Sequence, residues 1–311
     1  MIYNPRAGKF GRAGIALVER ATAILERNGH TVTVAPTTGP GTAGQIARAH
    51  IAAGAGLIVA AGGDGTINEV VEGMVHSRVP LAILPAGTAN VLAMEMKLGS
   101  RLERVAERLE ECRPQRIPVG RLICDGGRVD RHFMLMAGIG LDAHIVYNVN
   151  AGLKARVGKV AYWVAGWSLL GKRLGQFSVE AGGQRRECSF ALISKVRNYG
   201  GDFEIARNVN LMDDEFELVL LEGRNTLRYV KYFTGMVLNN LAGMKGASVL
   251  RADRINICCP SDGRIYVQID GEFAGRLPAE IRIVPDALTL LIPPAYLEAA
   301  NAGTMAQRSA R

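Results

Sequence analysis

The sequence is 311 residues long, with 48% hydrophobic and 21% charged residues, which is typical of a globular protein with enough apolar material for two domains. Its formal net charge of +8 favours an anionic partner, either a nucleotide, an anionic membrane surface or nucleic acid. The five cysteines are scattered without a C-x-x-C pair, and the five histidines lack ligand spacing. This pattern excludes a disulfide framework or zinc site and favours reduced thiols in a cytoplasmic protein.

The first 118 residues alternate between short apolar strands and segments with helical periodicity. Predicted strands cover residues 1–3, 31–35, 57–61 and 80–84. Predicted helices cover residues 15–28, 43–53, 68–75, 91–96 and 101–111, and Thr42 is a predicted N-cap. This alternation predicts an α/β doubly wound N-terminal domain, in which ligands bind at the loops leaving the carboxyl ends of the strands.

Three loops that follow predicted strands carry glycine and polar residues. They are Asn4-Pro-Arg-Ala-Gly8, Gly62-Gly-Asp-Gly-Thr66 and Pro85-Ala-Gly-Thr-Ala-Asn90. Glycine lets backbone N–H groups approach phosphate oxygens because no β-carbon stands in the way, and a helix N-terminus favours the negative charge. With Asp64 and Asn68 beside the glycines, the pattern favours phosphate binding over an ordinary turn. We expect all three loops to lie at one edge of the sheet.

From residue 119 to residue 311 the pattern changes to short strands separated by turn residues, which predicts a mainly antiparallel β domain. The last residues are allowed to return to the first domain, and the small, polar end of the chain is expected to fray. Predicted strands cover residues 120–124, 131–136, 176–180, 185–194, 216–222, 254–258 and 264–269.

Two helices are predicted within this second domain, at residues 155–170 and 227–241. The first carries Trp163 and Trp167 on one face, with basic residues on either side. This pattern fits contact with a membrane surface, and it also fits ordinary packing of aromatic side chains in the core.

Two acidic segments of the second domain carry potential chemistry. Asp270-Gly-Glu272 follows a predicted strand, and its Asp-Gly step fits a hairpin turn as well as a functional site, whereas the same step at Asp125 predicts only a hairpin. The carboxylates between Asn210 and Glu217 fit either a hard cation such as Mg²⁺ or a solvated turn. Asp142 follows an apolar strand and receives no predicted role.

Together these segments resemble the diacylglycerol kinase catalytic-domain family, which includes bacterial lipid kinases and sphingosine and ceramide kinases. The matching segments are residues 4–8, 62–69, 85–90, 213–217 and 270–272. They occur in the family's order and span nearly the whole chain. The resemblance implies an NAD kinase/diacylglycerol kinase-like fold and transfer of the γ-phosphate of ATP to a hydroxyl of a lipid such as diacylglycerol or a sphingoid lipid. It also implies Mg²⁺ as cofactor.

The resemblance implies site residues as well. Asp270 matches the family's general base, and Glu272 is its close catalytic neighbour. The residues that would surround the nucleotide are Asn4, Pro5, Arg6, Ala7, Gly8, Thr37, Gly63, Asp64, Gly65, Thr66, Ile67, Asn68, Glu69 and Thr88.

A structural Mg²⁺ site is implied at the acidic segment, where Asp214 and the carbonyl of Phe216 match two ligands. This chain departs from the family at two positions. Leu211 stands where the family has a further acidic ligand, and Glu215 stands where it usually has glycine. The metal site is therefore weakened, rearranged or absent, with Asp213 as a substitute ligand.

The implied partners are a lipid substrate and an anionic membrane, contacted peripherally through the positive charge of a cytoplasmic protein. No clustered basic and aromatic module supports nucleic-acid binding, and a homodimer is left open. One alternative is an NAD kinase-like enzyme, which would use the same glycine loop to phosphorylate a ribose. The other is a nucleotide- or lipid-binding regulator with weak or no turnover, which the departure at Leu211 keeps open.

Overall fold

A computed structural model describes residues 1–10, 14–141, 143, 174–199, 203–224, 229, 231–232, 234–235, 240–241, 243–259 and 265–309. The chain forms two compact units, Met1–Val119 with Pro285–Arg311, and Gly120–Val284. We call them unit 1 and unit 2. The helix predicted at 155–170 with Trp163 and Trp167, most of the helix predicted at 227–241, and Asp142 lie outside the described residues.

Unit 1 contains a parallel sheet whose strands are joined by helices. Its strands are β1 (Ile2–Tyr3), β2 (Ala35–Pro36), β3 (Ile58–Gly62) and β4 (Leu81–Pro85), in the order β2-β1-β3-β4. Every residue of β3 and β4 is buried, as the apolar runs of a parallel sheet require. The predicted α/β class is confirmed. The second strand is shorter than predicted because β1, its neighbour in the described part of the sheet, offers it two paired residues.

The described helices of unit 1 comprise three between its strands, two after β4 and one near the end of the chain. They are α1 (Ile15–Arg27), α2 (Thr42–Ala52), α3 (Asp64–Met74), α4 (Val91–Glu95), α5 (Leu102–Glu107) and α6 (Pro294–Ser309), with a 3-10 turn at Leu109–Glu111. At the start of α6, the side chain of Tyr296 is buried, and its hydroxyl donates a 2.8 Å hydrogen bond to the carboxylate of Glu95. The expectation that residues 299–311 fray stays a prediction.

The start of α2 differs from the prediction. Its N-cap is Gly41 in the left-handed conformation, and the hydroxyl of Thr42 donates to the carbonyl of Gly39 at 2.7 Å. The capping group comes instead from α3. The carboxylate of Glu69 accepts hydrogen bonds from the backbone N–H groups of Gly41 at 2.7 Å and Ala43 at 3.1 Å. A carboxylate at this position accepts hydrogen bonds from backbone N–H groups that have no partner within the helix. Its negative charge is stabilised by the positive end of the helix dipole.

Helices α2 and α3 approach each other at a pair of glycines. A β-carbon placed on Gly73 would lie 2.2 Å from the carbonyl oxygen of Gly44, and one placed on Gly44 would lie 2.5 Å from the carbonyl oxygen of Glu69. No β-carbon fits at such distances, so the two backbones are in direct contact. This crossing brings Glu69 to the start of α2.

Unit 2 is built from antiparallel strands, which confirms the predicted class of the second domain. They are β5 (Arg113–Cys124), β6 (Val129–Phe133), β7 (Met136–Gly140), β8 (Phe177–Ala181), β9 (Gln184–Cys188), β10 (Phe190–Ser194), β11 (Asn198–Tyr199), β12 (Phe203–Glu204), β13 (Phe216–Leu221), β14 (Ala247–Ala252), β15 (Arg254–Cys258), β16 (Tyr266–Ile269), β17 (Glu272–Arg276) and β18 (Ala279–Ile292). β5 begins in unit 1, and β18 ends there, where Leu290 pairs in parallel with Leu81.

One six-stranded sheet, in the order β14-β13-β10-β7-β16-β17, carries the acidic segments of unit 2. Within the unit, β15 pairs with β8 and with the first part of β18, and β5 pairs with β6 in a hairpin whose turn is the predicted Asp125-Gly step. Side chains from both groups of strands form one apolar core, in which the rings of Phe133 and Phe216 stack with centroids 5.7 Å apart.

Two predicted strands are each broken into two. The segment 131–136 divides into β6 and β7 because Met134 and Leu135 direct their backbone N–H groups to the side chain of Asp270. The segment 185–194 divides into β9 and β10 at Ser189, whose N–H donates to Leu221. The sequence pattern also failed to predict β11, β12, β14, β17 and β18. In β14, β17 and β18 the burial of the side chains does not alternate regularly along the strand.

We expect Gly73→Ala to lower the free energy of unfolding by about 1–3 kcal/mol, because the added methyl group clashes with the backbone of α2. Helix propensity alone predicts the opposite sign, a gain of about 0.5–1 kcal/mol. Urea denaturation measures the difference, and Gly56→Ala is the control because an added β-carbon there meets no atom within 4 Å. Equal stabilities for the two variants would contradict the close helix contact.

Candidate functional site

Two glycine-containing loops of unit 1 touch through their backbones. A β-carbon on Gly87 would lie 2.4 Å from the Cα atom of Gly63, a distance that no side chain tolerates. The N–H groups of Ala86 and Gly87 donate to the carbonyl of Gly62 at 2.9 and 3.2 Å. Glycine is therefore required at this contact for a steric reason, independently of any ligand.

The loop after β1 lies against both of these loops. Asn4 donates from Nδ2 to the hydroxyl of Thr66 at 3.1 Å, and Lys9 donates from Nζ to the carbonyl of Pro85 at 2.9 Å. A β-carbon on Gly8 would lie 3.5 Å from Oγ1 of Thr88. The predicted convergence of the three loops at the carboxyl ends of β1, β3 and β4 is confirmed.

The residues predicted to surround the nucleotide differ in how deeply they are buried at this edge. Pro5, Arg6, Gly8 and Thr88 are exposed; Asn4, Thr37, Gly63, Asp64, Gly65 and Glu69 are partly buried; and Ala7, Thr66, Ile67 and Asn68 are buried. Asn68 is only 5% exposed, and its side-chain oxygen accepts no hydrogen bond within the described part of the chain. A buried polar atom without a partner is costly, so it indicates a group that the folded chain leaves for a ligand or water.

The glycine-rich segment is part of a helix, unlike the prediction of a loop. Helix α3 begins at Asp64, four residues before the predicted start, so Asp64, Gly65 and Thr66 form its first turn. The carboxylate of Asp64 accepts a hydrogen bond from the N–H of Leu92 at 3.3 Å. Burial raises the pKa of this carboxyl, and the backbone N–H groups of Val91 and Leu92 oppose the rise. Asp64 thereby ties the start of α3 to the start of α4.

In unit 2, Asp270 and Gly271 form the two-residue turn between β16 and β17. Their φ angles of 50° and 80° are both positive, as a type I′ hairpin requires. The carboxylate of Asp270 accepts three backbone hydrogen bonds, from Met134 at 2.9 Å, Leu135 at 2.9 Å and Met136 at 3.0 Å. The hairpin interpretation was therefore right, and the carboxylate of Asp270 is committed to the backbone of the neighbouring strand.

Glu272, the first residue of β17, has different surroundings. Its side chain is 51% exposed, and its closest ion-pair partner among the described residues is Arg131, whose guanidinium nitrogen lies 3.8 Å from the carboxylate. The carboxylate of Asp270 is thus held by three N–H groups, whereas the carboxylate of Glu272 faces solvent.

The residues of the predicted Mg²⁺ site differ in burial, and the site itself stays a prediction. Leu211 is fully buried, the side chain of Phe216 is packed in the core, and Asp214 is exposed. Among the described residues, no cluster of three or more His, Cys, Asp or Glu side chains is arranged to hold a metal ion. Asp213, the substitute ligand, already accepts hydrogen bonds from Asn210 at 2.8 and 3.3 Å.

Two cationic side chains that the sequence reading did not single out contact this segment. Arg251 on β14 lies 2.8 Å from the carboxylate of Asp213 and 3.0 Å from that of Glu215. Lys195, 1% exposed, donates from Nζ to the carbonyl of Asp213. Burial lowers the pKa of Lys195 to about 7, against the opposing charges of Asp213 and Asp214. The feature of the sequence that could have pointed to Lys195 is its position directly after the apolar segment that forms β10.

The comparisons with known proteins agree with this architecture. Residues 1–122 match the family described as Diacylglycerol kinase catalytic domain, and residues 136–292 match the family described as YegS C-terminal NAD kinase beta sandwich-like domain. These matches define a kinase of two parts, an α/β catalytic domain and a β sandwich of the NAD kinase type. The chain belongs to the diacylglycerol kinase catalytic-domain family and is a lipid kinase of that family. The predicted family and enzyme class are confirmed.

Relatives match over nearly the full length of the chain. A diacylglycerol kinase of Bacillus subtilis is 26% identical over 288 residues, covering 90% of this chain and 91% of the relative. One of Mycobacterium tuberculosis is 26% identical over 297 residues, covering 94% of each. The crystal structure of a proposed diacylglycerol kinase from Bacillus anthracis superimposes with a TM-score of 0.79, at 22% identity and over 95% of each chain, which establishes the fold.

In the part of the chain that the structure describes, none of the helices has the length and apolar character needed to cross a membrane.

We expect the stability of the protein to rise with pH above about 7 because of Lys195. Its folded pKa of about 7 lies below the ordinary value of 10.5, so between these values the unfolded chain binds more protons, and raising the pH favours the folded state. The slope contributed by one group is at most about 1.4 kcal/mol per pH unit. Urea denaturation at several pH values should show a flatter profile for Lys195→Met than for wild type. The exposed Lys245→Met is the control, and parallel profiles for Lys195→Met and wild type would contradict the assignment.

Proposed function

We propose that this lipid kinase transfers the γ-phosphate of ATP to a hydroxyl group of a lipid such as diacylglycerol or a sphingoid lipid. The observation that carries the proposal is the convergence of the three loops of unit 1, with Gly63 and Gly87 in backbone contact. The names of the curated relatives support diacylglycerol as the acceptor to test first.

The nucleotide phosphates would lie at the N-terminus of α3. The first N–H groups of a helix have no partner within it, and the helix dipole adds a positive field at this end. The exposed side chain of Arg6 adds charge, and the buried side-chain oxygen of Asn68 is available to a donor. Thr37 and Thr88 offer hydroxyl groups at the same edge. Mg²⁺ would enter with ATP as part of the substrate and neutralise charge on the phosphates.

For the general base, the resemblance assigns Asp270, but the contacts favour Glu272. Three backbone N–H groups occupy most of the acceptor positions of the Asp270 carboxylate, which leaves it less able to accept a further hydrogen bond from a substrate hydroxyl. Glu272 is half-exposed and can reach an incoming hydroxyl. Asp270 then acts as a positioning residue that fixes the turn presenting Glu272.

The reaction needs little covalent chemistry from the protein. The carboxylate of Glu272 accepts the hydroxyl proton while the lipid oxygen bonds to the γ-phosphorus. The bond between this phosphorus and the oxygen bridging to the β-phosphate breaks, and ADP leaves with that electron pair. The products are a lipid phosphate and ADP.

The net charge of +8 supports peripheral contact with an anionic membrane, which would deliver a lipid acceptor to the enzyme. We therefore propose a cytoplasmic protein that contacts the membrane peripherally.

We expect purified protein with Mg²⁺ and labelled ATP to phosphorylate diacylglycerol in mixed vesicles containing anionic lipid. Sphingosine, ceramide and a total lipid extract should be tested in parallel, and NAD serves as the competing acceptor. A labelled lipid phosphate supports the proposal. Labelled NADP with no labelled lipid would overturn it in favour of an NAD kinase-like activity, and ATP binding without any labelled product would favour a regulator.

We expect Glu272→Gln to lower kcat by about two to four orders of magnitude with little change in the KM for ATP, because it removes the proton acceptor alone. Asp270→Asn should lower kcat and also the melting temperature, since an amide cannot accept three N–H groups as a carboxylate does.

The melting temperature separates the two roles. Glu272→Gln should melt at the wild-type temperature because the side chain is half-exposed, whereas Asp270→Asn should melt lower because three hydrogen bonds are weakened. The control is Glu180→Gln, an exposed carboxylate on β8. If Glu272→Gln stays near the wild-type rate while Asp270→Asn loses most of its kcat without melting lower than wild type, the base is Asp270.

A further inference from the structure

The acidic segment from Asn210 to Glu217 is held by cationic side chains of the chain itself. Arg251 contacts two of its carboxylates, and a third nitrogen of the same guanidinium donates to the carbonyl of Asn208. The side chains of Arg251 and Asp213 are only 19% and 11% exposed, so this ion pair is largely shielded from water. Three directed contacts from one planar group fix both the position and the orientation of the segment.

We propose that Arg251 is a built-in cation that does for the acidic segment what a bound divalent ion would otherwise do, so that the segment is ordered without a metal. The guanidinium is part of the chain, so it cannot dissociate from the segment as a loosely bound ion can. This inference goes beyond the proposed reaction, because it concerns the folding and metal requirement of the nucleotide-free protein.

The composition of the segment supports the same conclusion. A divalent cation needs several oxygen ligands free to converge on it. Here Leu211 contributes only an apolar side chain to the core, and both oxygens of Asp213 are already engaged by Asn210 and Arg251. Binding a metal at Asp213 would require displacing the guanidinium, which would leave a shielded positive charge without its partner.

The strand order explains why an arginine can reach the segment. In the six-stranded sheet, β13, which follows the segment, lies between β14 and β10. Arg251 pairs in register with Glu217 on one side, and Ser194, the residue before Lys195, pairs with Glu217 on the other. The segment is therefore held from both neighbouring strands, by Arg251 at its carboxylates and by Lys195 at the carbonyl of Asp213.

The experiment measures melting temperature in nucleotide-free, full-length protein, with EDTA and across a range of MgCl₂ concentrations. We expect wild type to melt at the same temperature in both, and Arg251→Met to melt about 5 °C or more below it in EDTA. Mg²⁺ should raise the melting temperature of Arg251→Met, since Asp213 and Glu215 are then left without their cation. Arg251→Lys should recover part of the loss. The matched control is Arg254→Met, which removes the ion pair between the exposed side chain of Arg254 and the partly buried Glu280 on β18.

A saturable rise of the wild-type melting temperature with Mg²⁺ that disappears in Asp213→Asn would overturn the proposal. So would an Arg251→Met protein as stable as Arg254→Met, or one that folds but does not respond to Mg²⁺. The wild-type titration decides the question even if Arg251→Met does not fold. None of these readouts uses kinase activity, so they are independent of the proposed reaction.

Discussion

The contact between Gly63 and Gly87 is the constraint on which the candidate site of unit 1 depends. Because the two loops share a backbone contact, the ends of β3 and β4 lie closer together than side chains would allow. The remaining contacts build on that approach. Lys9 bonds to the carbonyl of Pro85, and Asp64 bonds to the start of α4. In the proposed phosphate site, such contacts would hold the loops in place before a ligand arrives, which would lower the entropic cost of binding.

In unit 2, polar contacts hold the acidic segments in place, whereas in unit 1 close contacts between glycines hold the loops in place. A chain of hydrogen bonds links its two acidic segments, since Lys195 bonds to the carbonyl of Asp213 through its side chain and to the carbonyl of Leu135 at 2.8 Å through its backbone N–H. The N–H of Leu135 in turn donates to Asp270. Because each of these hydrogen bonds is short and directed, together they fix the turn that precedes Glu272 relative to the acidic segment.

The sequence predicted most of what depends on local pattern. The strands and helices predicted in unit 1 lie within four residues of their observed bounds, but the first turn of α3 contains the glycines that suggested a loop, and the terminal helix α6 was not predicted. In unit 2, the strand predicted at 131–136 failed because local pattern cannot show that Met134 and Leu135 bond to a side chain 136 and 135 residues away. The cap of α2 by Glu69 was missed for the same reason, since its source lies on another helix.

The sequence by itself determined the two classes of domain, the glycine loops and the family, because hydrophobic period, turn residues and motif order are written in neighbouring residues. Only the tertiary structure decided which carboxylates are already engaged in hydrogen bonds or ion pairs within the chain. Asp270 and Asp213 read alike as acidic residues near turns, yet one accepts backbone N–H groups and the other faces Arg251, which lies 38 residues further along the chain. The physical reason is that strand register brings such partners together, and register is set by packing across the whole sheet.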